Sequence, residues 1–139
     1  LLGRQVLLHL LHGWRPTARD LQRRHKQFFL GKSLDDSCPM GPWIVTADEV
    51  PDPQNLNVRC WVNGVLKQDG HTSQQIFPVA RTIALLSQIM TLEPGDIIST
   101  GTPEGVGFAR QPPEFLSAGD VVECEISGIG LISNSIVAV

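Results

Sequence analysis

The stretch Thr100-Gly101-Thr102-Pro103-Glu104-Gly105-Val106-Gly107 combines three glycines with two threonines. Glycines let a backbone approach a ligand closely, and hydroxyls and amides can donate hydrogen bonds to it. Pro103 and Phe108 break the spacing of a dinucleotide fingerprint, and no lysine follows the last glycine as in a phosphate-binding P-loop. A plain strand-to-strand turn accounts for the loop equally well. Lys32, fixed beside Gly31 after the apolar Phe28-Phe29-Leu30, is placed to polarise a carbonyl or hold a carboxylate, with an exposed lysine as the simpler alternative. Arg19 and Gln22 stand at i, i+3 and would share a helix face, as an anion clamp or as a solvated surface. His9 and His12 share the same spacing, but no carboxylate lies near them to complete a metal site.

These residues need elements to hold them. Thr17–Gln27 predicts a short polar helix with Thr17 as its cap. Before it, Val6–Leu11 reads as a helical turn or two, ended by Gly13 and Pro16. Trp43–Thr46 reads as a short strand. Leu56, Val58, Cys60 and Val62 alternate with Asn57, Arg59 and Trp61, the period of a half-buried strand. Asn63-Gly64 then marks a type I′ turn, because both central residues of that turn need positive φ, and Val65–Gln68 returns. Pro78 opens a helix whose Val79, Ile83, Leu86 and Met90 fall on one face. Two Gly-Asp turns, at Gly95-Asp96 and Gly119-Asp120, each lead into an apolar run read as a strand, Ile97–Ser99 and one starting at Val121. Further strands are read over Glu123–Ser127 and Leu131–Val139. The pattern is α+β, mainly β.

Bulk properties narrow the function classes. A chain of 139 residues, 42% hydrophobic and 18% charged, suits one globular domain with a core. A net charge of -3 gives no reason to expect nucleic acid as a partner. The charge is uneven, however: residues 1–32 hold seven of the eleven Lys and Arg and one acid, a net +6 against -9 for the rest. That basic segment suits an anionic substrate, or is a solvated face. Three widely spaced cysteines without a C-x-x-C pair argue against zinc and against a disulfide framework. No apolar run is long enough to span a bilayer, so no membrane partner is expected.

A series of short motifs then recurs in order: Arg19-Asp20-Leu21-Gln22, Gly31-Lys32-Ser33-Leu34-Asp35, Cys38-Pro39-Met40-Gly41-Pro42, Val62-Asn63-Gly64, Met90-Thr91-Leu92, Pro94-Gly95-Asp96, Thr100-Gly101-Thr102-Pro103, Gly105-Val106-Gly107 and Gly119-Asp120. Over residues 17–139 the chain resembles the C-terminal half of fumarylacetoacetate hydrolase-domain proteins, a group that includes acylpyruvate hydrolases, oxaloacetate decarboxylases and 2-hydroxyhepta-2,4-diene-1,7-dioate isomerases. The resemblance implies a mixed β-roll, here lacking its upstream strands, that is usually a homodimer. It implies a keto-acid substrate held beside Mg²⁺ or Mn²⁺, with the metal bound by two glutamates and an aspartate and acting as Lewis acid on an enolate. By position, Lys32, Gln22 and Arg19 resemble the family's catalytic and substrate-facing residues. Thr102, with Gly101, Thr100 and Pro103, resembles its binder of the substrate carboxylate.

The metal ligands do not carry over. Thr17-Ala18-Arg19-Asp20 match the string that contains the family's aspartate, yet the ligand position holds Arg15, whose charge opposes a cation. No glutamate precedes Glu49. Residues 1–16 are therefore expected to be a leader unrelated to the catalytic domain, with 17–139 as that domain's C-terminal part. No metal ligand is assigned, and activity is expected to be weak or absent; a non-catalytic keto-acid-binding or dimerisation module is the alternative. The compartment expected is the cytoplasm, with the mitochondrion as alternative.

Overall fold

The computed structural model describes the backbone of residues 10–13 and residues 16–138. His9, Arg15, the His12 side chain and most of the expected leader lie outside the described residues. In chain order the elements are β1 (Leu10–Gly13), α1 (Arg19–His25), α2 (Phe28–Gly31), β2 (Met40–Val45), β3 (Asn57–Val62), β4 (Val65–His71), α3 (Val79–Ile89), β5 (Val121–Ile126) and β6 (Gly130–Ser135). No helix among the described residues is long and apolar enough to cross a membrane.

The centre is a four-stranded antiparallel sheet in the order β4-β3-β5-β6. Its first hairpin turns at Asn63 and Gly64, with φ of 51° and 74°, the pair of positive values that a type I′ turn requires. Asn63 also stitches the hairpin to β5: its Nδ2 donates to Asp120 Oδ1 at 2.8 Å, and Val121 N donates to Asn63 Oδ1 at 2.9 Å. Asp120 meanwhile accepts from Ser117 N at 2.7 Å, closing the Gly-Asp turn that launches β5. These contacts, the Asn63 hydrogen bond first, hold the Asp120 carboxyl below its ordinary range. β1 and β2 form a separate antiparallel pair that lies against β6. The core gathers Val45, Val50, Leu56 and Ile129, with Ile126 packed on it, and buries Val122 and Cys124 of β5.

Three local expectations are overturned by the presence or absence of longer-range bonds. The α1 cap is Ala18 rather than Thr17, because Ala18 N donates to Gly31 O at 2.9 Å and that contact fixes where the helix starts. Leu10 and Leu11 are strand, not helix, because β2 supplies hydrogen-bonding partners. Ile97–Ser99 is not a strand. Its turn closes as expected, with Glu93 N donating to Asp96 Oδ2 at 2.8 Å, but the run that follows pairs with no strand among the described residues, and Ile97 is exposed. α3 forms as read, yet only Val79 of its apolar face is buried; Ile83 and Leu86 are half-buried and Met90 is exposed.

Candidate functional site

α1 and α2 pack closely against each other, and a glycine permits it. A Cβ on Gly31 would stand 2.8 Å from Ala18 O and 3.4 Å from Gln22 Cβ, so only glycine fits this close approach. Lys32 follows directly and is half-buried. The elements carrying Arg19, Gln22 and Lys32 are thereby joined. Acidic Asp20 in the first turn of α1 and Arg23, Arg24 and His25 in the last complement its dipole.

Within α1, Arg19 Nη1 donates to Gln22 Oε1, and the guanidinium lies 3.4 Å from the centroid of the Phe108 ring. Phe108 follows Gly107 at the far end of the glycine–threonine loop, so the loop and α1 meet there. Arg19, Gln22, Arg23 and Lys26 occupy positions i, i+3, i+4 and i+7 and line, with Phe28 and Phe108, an open cavity of about 370 Å³. Three cations and an amide face it, and no carboxylate does.

The loop is held from the other side by β4. Gln68 Nε2 donates to Thr102 Oγ1 at 3.0 Å, Pro103 O at 2.8 Å and Glu104 O at 3.1 Å. Gly105, at φ +94°, lies so close to β4 that a Cβ there would stand 2.2 Å from Lys67 O. Arg110 closes the far end: its Nε donates to Gly105 O at 3.1 Å and its Nη2 to Lys67 O. Lys67 Nζ donates to Glu114 Oε2 at 2.6 Å, and that hydrogen bond chiefly holds the Glu114 carboxyl below its ordinary range.

The sequence-assigned residues thus fall into two groups. Arg19 and Gln22 come together in the cavity, with Lys32 on the adjoining element. Thr102 and Pro103 are fastened to Gln68, Thr100 and Gly101 are exposed at the loop's start, and none of these four, nor Lys32, lines this cavity. The sequence reading missed Arg23 and Lys26, although their helical spacing from Arg19 was visible. It also missed Phe108 and Gln68, for which no local signal exists. Among the described residues no group of three or more His, Cys, Asp or Glu is placed to hold a metal ion. The described side chains by themselves therefore offer no divalent-cation site.

Residues 15–137 match the family model described as fumarylacetoacetate (FAA) hydrolase C-terminal. The chain belongs to this family. An oxaloacetate tautomerase of Bacillus subtilis is 54% identical over 120 residues, covering 86% of this chain and 40% of the relative. A mitochondrial oxaloacetate tautomerase of Xenopus laevis is 52% identical over 123 residues, covering 87% and 39%. Among solved structures, a fumarylacetoacetate hydrolase from Exiguobacterium antarcticum superposes with a TM-score of 0.86 at 40% identity, covering 96% of this chain and 56% of that one. A fumarylpyruvate hydrolase from Pseudomonas aeruginosa, in complex with Mn²⁺ and pyruvate, superposes at 0.80 with 33% identity, covering 91% and 53%. The expected fold class, α+β and mainly β in the fumarylacetoacetate hydrolase manner, holds. The chain spans about 40% of the length of the curated relatives it matches.

Proposed function

We propose that this chain supplies the keto-acid-binding part of a fumarylacetoacetate hydrolase-type enzyme, of the kind that hydrolyses acylpyruvates or decarboxylates or tautomerises oxaloacetate. The observation that carries the reading is the convergence of Arg19, Gln22, Arg23 and Lys26 on one cavity walled by Phe28 and Phe108. A carboxylate is the guest such a lining selects, because a planar guanidinium presents paired donors to its two oxygens. Stacking on Phe108 fixes the plane of Arg19, and the bond from Arg19 leaves the Gln22 amide hydrogens available to the ligand. Lys32 brings a positive charge to the same pair of elements, where it would stabilise an oxyanion developing at the keto group. Thr102 and the amides around Gly101 would bind the substrate carboxylate. The relatives' names support a keto-acid substrate, and the Mn²⁺–pyruvate complex supports a divalent metal in the family.

On its own, the chain is weak or inactive in this reading, because Arg15 stands where the family's aspartate would. We assign it no metal-dependent step. Calorimetry with oxalate, with and without Mg²⁺, tests the pocket: binding heat is expected, and Lys32→Ala and Thr102→Ala should abolish it while circular dichroism stays unchanged. No heat under either condition refutes the pocket, and normal binding by both variants refutes the roles given to Lys32 and Thr102. Robust Mg²⁺-stimulated acylpyruvate cleavage or oxaloacetate decarboxylation, abolished by a chelator, refutes the impairment. The retained Lys32 and Thr102 motifs also support a second reading, a non-catalytic keto-acid-binding or dimerisation module. In that case oxalate binds, sedimentation shows a homodimer, and no keto acid is turned over. A mitochondrial relative and a bacterial one leave both the mitochondrion and the cytoplasm as proposed settings.

A further inference from the structure

Two cysteines outside the pocket face each other across the sheet. Cys60 of β3 is registered directly opposite Cys124 of β5. Directly opposed residues in an antiparallel pair have Cα atoms about 4.5–5.5 Å apart and side chains on one face. A disulfide needs about 4.4–6.8 Å between Cα atoms, so the backbone register alone supplies the required spacing. As residues the two differ in exposure: Cys124 is 4% exposed, whereas Cys60 is half-buried. They differ in acidity as well. A hydrogen bond with Cys124 holds the Cys60 thiol below its ordinary range, and the same contact together with burial pushes Cys124 well above it. A more acidic cysteine on the more exposed residue of an opposed pair is the one that oxidants attack first.

We propose that Cys60 and Cys124 form a hydroperoxide-sensitive pair that closes to a cross-strand disulfide. The Cys60 sulfur attacks one oxygen of the hydroperoxide and the O–O bond breaks. Cys60 becomes a sulfenic acid, and the other oxygen leaves as water or an alcohol after taking a proton. The Cys124 sulfur then attacks the Cys60 sulfur. The S–O bond breaks, the hydroxyl leaves as water with the Cys124 proton, and the S–S bond forms. The two thiols lose two electrons, and the hydroperoxide gains them. The rung that carries this bond continues to Gln68, which sits opposite Cys60 on β4 and anchors Thr102, Pro103 and Glu104. Oxidation therefore takes place one strand away from the anchor of the loop. The proposal stands on the sheet alone and does not depend on the keto-acid reading.

The test uses the full chain with exposed Cys38 replaced, Cys38→Ser, which leaves the sheet untouched. After hydrogen peroxide treatment and alkylation, intact mass should show the loss of two hydrogens and of both sheet thiols. Peptide mapping should join Cys60 to Cys124. Adding Cys124→Ser should leave Cys60 as a sulfenic acid that dimedone traps, and adding Cys60→Ser should leave Cys124 unmodified at the same dose. Both thiols remaining open to alkylation in folded Cys38→Ser protein overturns the proposal. So does cross-linking only between separate chains, or Cys124 reacting as readily without Cys60 as Cys60 does without Cys124.

Discussion

Replacing Gln68 isolates the loop anchor from the pocket itself. Its Nε2 faces three oxygens, those of Thr102, Pro103 and Glu104. An amide nitrogen has two hydrogens, so at most two of these bonds are made in full at once. At about 0.5–1.5 kcal/mol net for each bond, Gln68→Ala should cost roughly 1–3 kcal/mol. Thr102 and Glu104 are exposed, so water replaces part of what is lost and the lower half of that range is expected. Gln68→Glu is the sharper probe. A carboxylate has the same size but no hydrogen to donate, so it sets a negative charge against the Pro103 and Glu104 carbonyls, and only the Thr102 hydroxyl can turn to donate to it. It should therefore destabilise more than alanine does. Urea unfolding of the three proteins at neutral pH gives the order wild type, Gln68→Ala, Gln68→Glu. If the loop is the carboxylate cradle, oxalate affinity should fall in the same order, by up to about tenfold for each 1.4 kcal/mol. A Gln68→Glu protein as stable as wild type would refute the anchoring argument. An affinity unchanged across all three, with the stability order intact, would refute the loop's part in binding.

Two further outcomes follow from the same region. Gly105→Ala combines a left-handed backbone, worth about 1–2 kcal/mol against an L-residue, with a methyl group 2.2 Å from Lys67 O. A loss of at least about 2 kcal/mol in urea unfolding is expected, and an unchanged midpoint would show that the loop does not rest on β4 as described. The Lys67–Glu114 bond should make stability pH-dependent. Because the folded state depresses the Glu114 pKa, its contribution is present above the ordinary value of 4.5 and is lost as pH falls through the lower folded value. Acid unfolding curves should show this loss on the acid side of 4.5, and Glu114→Gln should remove part of it. Asp120 and Asp48, shifted in the same direction, supply part of the remainder.

What was legible in the sequence was whatever a few neighbouring residues decide. Asn63-Gly64 fixes its turn because positive φ is needed at both positions, and no distant contact changes that. The Gly-Asp turns close locally too, each through an aspartate accepting from an N–H three residues earlier. The strand after such a turn is another matter. Val121 finds β3 and β6 on either side, whereas the run after Asp96 finds no strand among the described residues, and two equal local signals end differently. The α1 cap went the same way, because the Ala18–Gly31 bond spans two elements. In the site, Arg19 and Gln22 were legible by helical spacing. Phe108 and Gln68 were not, because their roles come from a loop folding back over a helix and a strand more than thirty residues away in sequence.

Charge placement links the pocket to the question of the metal. Arg19, Arg23 and Lys26 face one cavity, and no carboxylate lines it. Two unit charges about 4 Å apart interact by roughly 4 kcal/mol at an effective dielectric near 20. An anion entering gains from all three cations, and a bare divalent ion would be repelled by all three, more strongly still because its charge is doubled. The lining of this cavity thus favours an anion and disfavours a bare divalent ion. In calorimetry, Mg²⁺ alone should give no binding heat, and oxalate should bind without it. Tight Mg²⁺ binding in the absence of any carboxylate ligand would refute this electrostatic account.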